Sequence, residues 1–278
     1  MAKENWVSLH GIALADARFK CDSGGAPVRG MLYLRVIDRI NTKAIASETE
    51  VRYATIFVYT GLGRIIDGML PIKEGDLVDV TGTLTTAVVP KGRKCPTCGE
   101  MNKARGAITY VTPQYICKRE SGLSAEEAEK LLRQRCEVSN RICVIGSVTN
   151  GLEYYDGQGT MTPALQYQLS VPRTIRVDDD TAEATRDLPW VFTKGIQAEE
   201  GRDALRIGSV VYIRGHLRSK AQTKTVQCSK CDTVWESDDF PLILISPHFT
   251  EYLHNCNFPD SDINEYFSVD PDYIDEHS

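Results

Sequence analysis

Two cysteine pairs with Cys-x-x-Cys spacing are the residues of this chain best suited to chemistry. Cys95 and Cys98 form the first pair, and Cys228 and Cys231 form the second. Thiolates at this spacing bind zinc, and a structural zinc ion takes four tetrahedral ligands, of which one pair supplies only two. In a chain without a secretion signal, such pairs indicate metal or redox chemistry in a reducing compartment.

Each pair is predicted to lie at the tip of a long β-hairpin. Arms of about 11 residues place each tip roughly 35 Å from its own domain, which is too far for Cys117 to contribute a ligand. We therefore expect the four cysteines to share one zinc ion, as a structural site without catalysis. Two other arrangements are open: each pair meets its copy in a second subunit, or it recruits Cys256 and His254. A redox pair is a third interpretation, but redox pairs usually open a helix rather than cap a hairpin.

The elements that position these cysteines occur twice in the chain. Residues 75–98 and 208–231 align without a gap at an offset of 133, with matching glycines, an alternating apolar strand, a leucine, a basic arm and the cysteine pair. The segments 5–11 and 140–146 match at an offset of 135, and 108–113 matches 242–247 at 134. A period this long indicates two whole domains, which agrees with a length of 278 residues.

Short alternating runs separated by turn residues predict an all-β fold. In the first copy we place strands near 5–14, 30–38, 51–59, 77–85 and 107–112, with a short helix over 61–70 between the third and fourth strands. Five strands with a helix at that position are the plan of an OB-fold. The prediction is two tandem OB-fold barrels with long hairpins, at 1–118 and 140–250.

Between the barrels, residues 119–139 are predicted to hold a connector helix. Ser124 and Glu127 form a capping-box pattern at its start. From 251 to 278 the chain has eight acidic residues and no lysine or arginine, and no apolar periodicity survives, so we expect a disordered acidic tail. The net charge of −6 therefore belongs to the tail, since residues 1–250 carry 32 basic and 30 acidic groups.

Aromatic and basic residues gather on the predicted strands and hairpin arms. Alternation places Leu32, Leu34 and Val36 inside the first barrel and Tyr33 and Arg35 outside. Aromatic rings beside cations suit a single nucleic-acid strand, whose bases stack and whose phosphates need neutralising. The candidate DNA-binding residues are Tyr33, Arg35, Tyr53, Phe57, Tyr59, Lys91, Arg93, Lys94, Trp190, Phe192, Arg214, Arg218, Lys220 and Lys224.

Enzyme motifs are not found, so we expect a protein that is not an enzyme. The sequence has neither a phosphate-binding glycine-rich loop with lysine nor a His-Glu-x-x-His zinc motif. The acidic run at 178–180 is interpreted as a solvated loop. The N-terminus lacks the apolar core of a signal peptide, so the expected location is the cytoplasm; the family resemblance described next implies that this is the cytoplasm of a bacterial cell or of a phage-infected host.

The sequence also resembles a known family, the bacterial and phage-type single-stranded DNA-binding proteins. The resemblance is carried by residues 75–84 and 205–219, the glycine-strand-glycine-leucine element, and by the openings at 5–11 and 140–146. It implies OB-folds that wrap single-stranded DNA with strand aromatics and hairpins. It places the family's stacking tryptophan of the third strand near Tyr53 and Trp190, and its basic position at Arg218, where the first copy has Thr85.

The same resemblance bears on assembly and partners. Members of the family usually have one OB-fold per chain and form tetramers, so a chain with two barrels implies a homodimer. Their acidic tails often end in a phenylalanine that docks on replication and repair proteins, and this chain ends without one.

The predicted function is sequence-independent binding and protection of single-stranded DNA in replication, recombination or repair, with zinc as a structural cofactor. The alternative is an OB-fold adaptor that binds protein partners in a replication complex. A third class, a substrate-handling protein with a zinc ribbon, requires an apolar pocket in place of an open basic groove.

Overall fold

The computed structural model describes residues 3–40, 51–157, 162–173 and 185–257, without the side chains of residues 39 and 40. In the first half the elements are β1 (Asn5–Ala13), β2 (Arg18–Cys21), β3 (Pro27–Ile40), β4 (Val51–Thr60), α1 (Gly63–Met69), β5 (Leu77–Lys94) and β6 (Met101–Glu120). Helix α2 (Ala125–Gln134) connects the halves. The second half contains β7 (Asn140–Tyr155), β8 (Ala164–Pro172), β9 (Arg186–Asp187), β10 (Trp190–Lys194), α3 (Ile196–Ala204), β11 (Val210–Lys220), β12 (Thr223–Gln227), β13 (Val234–Asp238) and β14 (Leu242–His254).

Each half closes into a five-stranded barrel. In the first, the strand order is β1-β3-β4-β6-β5 and back to β1, and in the second it is β7-β8-β10-β14-β11 and back to β7. Neighbouring strands are antiparallel except at one place in each barrel, where β4 meets β6 at Val58–Val111 and β10 meets β14 at Val191–Ile245. Strand order and the helix before the fourth strand are those of the OB-fold. The predicted fold class is therefore confirmed.

Alternating apolar residues fill both barrels because successive side chains of a strand point to opposite faces. Burial of each such side chain contributes about 1.5–3 kcal/mol. The most deeply buried, at 0–1% exposure, include Val7, Leu9, Leu34, Ile56 and Val80 in the first barrel and Val144, Leu169, Val191, Val211 and Ile213 in the second.

The two barrels are joined through their first strands. β1 and β7 pair antiparallel, and Val7 lies opposite Ile142, its counterpart in the repeat. A pseudo-two-fold axis therefore passes through this pair and relates the two halves. The pairing makes one continuous sheet of both barrels.

The repeated glycines are required by this geometry. A Cβ at Gly82 would lie 2.1 Å from Thr112 O, and one at Gly215 would lie 2.2 Å from Ser246 O. At both places the strand register shifts by a bulge, so the backbones approach too closely for a side chain. Gly75 and Gly208, with φ of 85° and 91°, occupy left-handed turns that favour glycine.

A pair of buried asparagines accounts for the similarity of the segments 5–11 and 140–146, which begin the first strand of each barrel. Asn5 donates to Leu84 O (2.8 Å) and accepts from Leu84 N (2.9 Å). Asn140 makes the same two bonds to Leu217, at 2.7 and 2.9 Å. Each asparagine thus satisfies two backbone groups on the fourth strand beside the bulge.

Several boundaries differ from prediction. β3, β5 and β6 are longer than expected, β2 was not predicted, and β14 runs to His254, past the expected start of the tail at 251. The acidic run at 178–180 and residues 258–278 of the predicted tail lie outside the described residues. No helix in the described ranges is long and apolar enough to cross a membrane.

Candidate metal centre and nucleic-acid interface

The two hairpins meet at their tips. The first hairpin, residues 86–109, is an unbroken extension of β5 and β6, whereas the second, residues 219–242, breaks between β11 and β12 and again between β13 and β14. These breaks turn β12 and β13 into a separate two-stranded sheet. The second hairpin can therefore bend onto the first, which is why the tips converge.

Four cysteine sulfurs come together at that point, as predicted. The ligand atoms of Cys95, Cys98, Cys228 and Cys231 all lie within 4.8 Å of one another. Cys95 Sγ is 3.7 Å from Cys231 Sγ, and Cys98 Sγ is 3.5 Å from Cys228 Sγ. Tetrahedral zinc with Zn–S distances near 2.3 Å places its sulfurs about 3.8 Å apart. This set of side chains therefore fits a metal ion.

Both cysteine loops have the same backbone structure. Cys95 N donates to Glu100 O and Gly99 N to Cys95 O, while Cys228 N donates to Thr233 O and Asp232 N to Cys228 O. Gly99 and its counterpart Asp232 both have positive φ, 72° and 56°. The Lys230 backbone N–H, donating to Cys228 Sγ at 3.4 Å, is the largest influence that lowers the pKa of Cys228 to about 6. At Cys98 a backbone hydrogen bond at Glu100 lowers the pKa, but burial and the neighbouring thiols outweigh it and raise the pKa to about 12. A lowered pKa favours the thiolate that metals bind.

Asp239 joins the two hairpins below the tips. Its carboxylate lies 3.1 Å from both Lys91 Nζ and Arg93 Nη2 of the first hairpin and 2.8 Å from Lys224 Nζ of the second. Lys91 Nζ also lies over the Phe240 ring, 4.5 Å from its centroid. Arg93 is only 6% exposed, so the prediction that it contacts DNA does not fit the structure. Its guanidinium instead links the first hairpin to Asp239 of the second hairpin.

An aromatic cluster covers the outer face of the first barrel beside the base of the second hairpin. The Tyr33 and Phe57 rings stack with centroids 4.9 Å apart, and Tyr59 packs edge-on against Tyr110 at 5.4 Å. Phe240 of the second hairpin packs against the same group. Tyr110 is buried, whereas Tyr33 is 38% exposed. The structure thus brings together three predicted residues, namely Tyr33, Phe57 and Tyr59.

Tyr53 and Arg35 do not belong to this surface. Tyr53 OH donates to Glu129 of helix α2 at 2.8 Å, and its ring packs against the apolar side of that helix. Arg35 lies over the Tyr53 ring at 5.1 Å and pairs with Glu129 at 3.6 Å. Both residues therefore contact the connector helix, with 32% of the Arg35 side chain still exposed, and their contact with DNA stays a prediction.

The second barrel presents Trp190 and Phe192 on its third strand. Since Val58 and Val191 are equivalent in the parallel pairing of the two barrels, Trp190 corresponds to Phe57 and Phe192 to Tyr59. The predicted equivalence of Trp190 with Tyr53 is therefore wrong. Both rings are half-buried, and Lys194 Nζ lies 5.4 Å from the Phe192 centroid.

The remaining predicted cations take different positions. Lys94, Lys220 and Arg214 are exposed, and Arg214 lies over the Phe249 ring at 5.7 Å. Arg218 is partly exposed and pairs with Asp38 of the first barrel at 3.2 Å. His216 reaches the same carboxylate through Nε2 at 3.0 Å. Arg218 therefore helps to join the two barrels.

Sequence reasoning did not identify Asp38, Asp239 or Phe240 as functional. Their partners lie more than 100 residues away in the chain, apart from Lys224, so no local pattern marks them. A weak signal exists for Asp239, which precedes an aromatic-proline pair at the base of the hairpin.

Comparison with known proteins agrees with this architecture. No protein-family model and no curated protein sequence matches the chain. Among solved structures, the single-stranded DNA binding protein from Thermus aquaticus superimposes with a TM-score of 0.57 at 16% identity, over 95% of this chain and 99% of that one. A deletion mutant of the same protein gives a TM-score of 0.54 at 17% identity, over 94% of this chain and 100% of that one. The chain therefore shares its overall fold with the Thermus aquaticus single-stranded DNA binding protein.

Proposed function

We propose that this protein binds single-stranded DNA without sequence specificity. The observation that carries the proposal is the pair of third strands, which present partly exposed aromatic rings in both barrels. Each set of rings has a cation beside it, since Arg29 donates to Tyr59 OH at 3.0 Å in the first barrel and Lys194 Nζ lies 5.4 Å from the Phe192 ring in the second. Bases stack on such rings with about 1–3 kcal/mol each, and every base has a face to offer, which makes binding tolerant of sequence.

The revised contact set follows from exposure in the structure. The stacking residues are Tyr33, Phe57 and Tyr59 on the first barrel and Trp190 and Phe192 on the second. The phosphate contacts are proposed to come from Lys94, Arg214, Lys220 and, through the outer part of their side chains, Lys91, Arg218 and Lys224. The exposed cations Lys103, Arg105 and Arg186 extend the set.

We further propose that the four cysteines hold one structural zinc ion. The ion supplies no catalysis, because four thiolates leave no position for water or substrate. Its role is to fix the hairpin tips, so that the cations on both arms keep their relative positions. Metal analysis of the purified chain is expected to give one zinc per chain. Two zinc ions per chain contradict the shared site.

The cellular role is proposed to be protection of single strands during replication, recombination or repair in the cytoplasm. We propose that the protein works as a homodimer and that its acidic tail competes with DNA or recruits replication proteins. Because β14 extends to His254, the tail is best removed after Asn257, where no described strand is shortened. Unchanged DNA affinity at low salt after this truncation contradicts competition by the tail.

Neutralising exposed cations distinguishes a protein that binds DNA from an adaptor that binds protein partners. The triple variant Lys94→Gln, Arg214→Gln, Lys220→Gln spares the partners of Asp239 and Asp38, so the fold is retained. We expect weaker binding to oligo(dT) and a salt slope that falls by about one for each phosphate that the variant no longer neutralises. The matched control neutralises three exposed cations outside the barrel strands, Lys3, Lys130 and Arg135. A change in oligo(dT) binding that is equal in the triple variant and in the control favours the adaptor role.

A further inference from the structure

A cleft of about 560 Å³ separates the two hairpins below the cysteine cluster. One wall is residues 101–104 of β6, the other is residues 224–227 of β12, and Arg93 and Ser229 complete the lining. We call it the hairpin cleft. At the end nearer the cysteines, Ser229 N donates to Asn102 Oδ1 at 2.9 Å and closes the cleft. None of these lining residues is aromatic or acidic.

Each wall is the free edge of a β-strand. Successive residues of a strand point to opposite faces, so a cleft lined by four residues in succession runs along the edge of the strand. Over residues 101–109, β6 pairs with β5, and β4 joins it only at Val111. In the described part of the chain β12 pairs with β13 alone. Both edges therefore present backbone groups without a partner strand, which can serve as a template for an added strand.

The hydrogen bonds of the first hairpin show which residue of β6 points its backbone groups into the cleft. Cys95 N donates to Glu100 O, so these two residues form a hydrogen-bonded pair, and pairs of this type alternate with non-hydrogen-bonded pairs along an antiparallel ladder. Gly92 and Lys103 are then a non-hydrogen-bonded pair, in which N–H and C=O point away from the partner strand. Lys103 therefore turns both groups to the cleft.

Positive charge is in excess at the cleft. The Asp239 carboxylate contacts Lys91, Arg93 and Lys224, so one negative charge faces three positive charges. The Arg93 side chain is 5% exposed, and its Nε has no hydrogen-bond partner in the described part of the chain. A buried N–H without a partner is costly in free energy, and an acceptor that enters the cleft satisfies it. Arg93 therefore favours a ligand that carries a carboxylate.

The other acidic residues of the hairpins do not supply the missing negative charge. Glu236 and Asp238 of β13 lie on the opposite face of the two-stranded sheet from Lys224, whose partner in the pairing is the residue between them. Glu100 lies at the tips, where it pairs with Lys230 at 3.9 Å. The charge that balances the cleft therefore has to come from a ligand.

We propose that the hairpin cleft binds an acidic peptide of a partner protein in extended form. The peptide adds as a strand to the free edge of β6 and places a carboxylate against Arg93. Because alternate residues of an added strand face the same side, an acidic residue at every second position is the expected pattern. A peptide fits better than a nucleic acid, because the free edges offer backbone hydrogen bonds and no lining residue has a ring on which a base can stack.

Fluorescence anisotropy with labelled peptides tests the charge of the ligand. The zinc-containing chain is titrated with a peptide of alternating glutamate and threonine and with a control of alternating lysine and threonine. We expect the acidic peptide to bind and the basic control not to bind. No binding of the acidic peptide, or equal binding of both, overturns the inference. Titration of the same preparation with oligo(dT) tests the proposed function separately, since DNA binding can hold where peptide binding fails.

Two substitutions at one position separate strand addition from attraction between charges. Lys103→Pro removes the charge and also the N–H that points to the cleft, whereas Lys103→Thr removes the charge and keeps the N–H. The proline variant is expected to bind the acidic peptide about tenfold more weakly than the threonine variant. Both variants should bind oligo(dT) equally, because they lose the same charge. Equal peptide affinities in two variants with full zinc content and unchanged circular dichroism overturn strand addition.

Hydrogen exchange on the unchanged protein gives a second measurement, which does not depend on the folding of the proline variant. Saturating acidic peptide is expected to slow exchange of the backbone amides at 101–105, with the Lys103 amide among them. Unchanged exchange in this segment overturns the inference. Slower exchange with oligo(dT) but not with the peptide assigns the cleft to DNA, which overturns the inference and leaves the proposed function in place.

Discussion

At the scale of single residues, Asp239 determines how the two hairpins pack. Its carboxylate is 4% exposed and meets cations from both hairpins. Burial raises the pKa of Asp239, but hydrogen bonds from Lys224, the Phe240 backbone N–H and Lys91 outweigh it and hold the pKa well below its usual range. A carboxyl with a lowered pKa stabilises the folded state above its unfolded pKa and loses that contribution as the pH falls.

Substitution of this carboxylate is expected to show the corresponding pH dependence. Asp239→Asn should lower the free energy of unfolding at pH 7 by about 1.5–3 kcal/mol, the usual contribution of hydrogen bonds to a charged group. Below about pH 3.9 the difference from the unchanged protein should shrink by about 1.4 kcal/mol per pH unit. Urea unfolding at pH 7 and pH 3 measures both quantities.

The control is Asp16→Asn, which removes an exposed carboxylate paired with Lys73 and should change stability less, since exposed ion pairs contribute little. An Asp239→Asn protein as stable at pH 7 as the unchanged one contradicts the assigned role.

At the scale of elements, the sequence predicted what each segment forms better than where it packs. The capping box at Ser124 is present, with Glu127 N donating to Ser124 Oγ and Ser124 N to the Glu127 carboxylate. The capping box predicted the helix but not its docking surface, since only the fold brings Glu129 to Tyr53. Likewise, the aromatic Tyr53 has the strand alternation of a DNA-facing residue, and the covering helix comes from another part of the chain.

The hairpins themselves were predicted from the repeat, and so was the convergence of their cysteines. The bend of the second hairpin was not, because it follows from breaks at residues 221–222 and 239–241 that have no counterpart in the first. Their sequence, with a proline at 241, is compatible with a break but does not specify its direction.

Removing the metal ligands is expected to free the hairpin tips and to leave the barrels intact. The variant Cys98→Ser, Cys231→Ser changes one ligand in each loop and should lose zinc. Limited proteolysis should then cut near the tips, while the barrels stay folded because the β1–β7 pairing does not involve the hairpins. Mass spectrometry of the fragments and metal analysis give the readout.

The matched control is Cys21→Ser, an exposed cysteine away from the cluster, which should keep the metal and the resistance to protease. Full zinc content in the double variant excludes the four-cysteine site.

At the scale of the whole molecule, the repeat determines the two-barrel architecture, and the positions at which the two copies differ determine which surface groups are exposed. Matching glycines and asparagines predicted two equivalent barrels because they meet backbone requirements that are the same in both. The positions that distinguish the halves, such as Tyr33 against Gln168 and Gly106 against Phe240, lie on outer surfaces where packing between halves decides the environment. Sequence alone could not show which aromatic residues would be covered, since the covering groups lie in the other half or in the connector.

Binding of single-stranded DNA by the whole chain is the central claim, and a fluorescence-anisotropy titration tests it most directly. Labelled oligo(dT) and a duplex of the same length are titrated with the zinc-containing protein at two salt concentrations. We expect oligo(dT) to bind tightly, the duplex to bind weakly, and the affinity for oligo(dT) to fall as salt rises, because phosphate contacts release counterions. No binding of oligo(dT) at low salt, or equal binding of both substrates, contradicts the account.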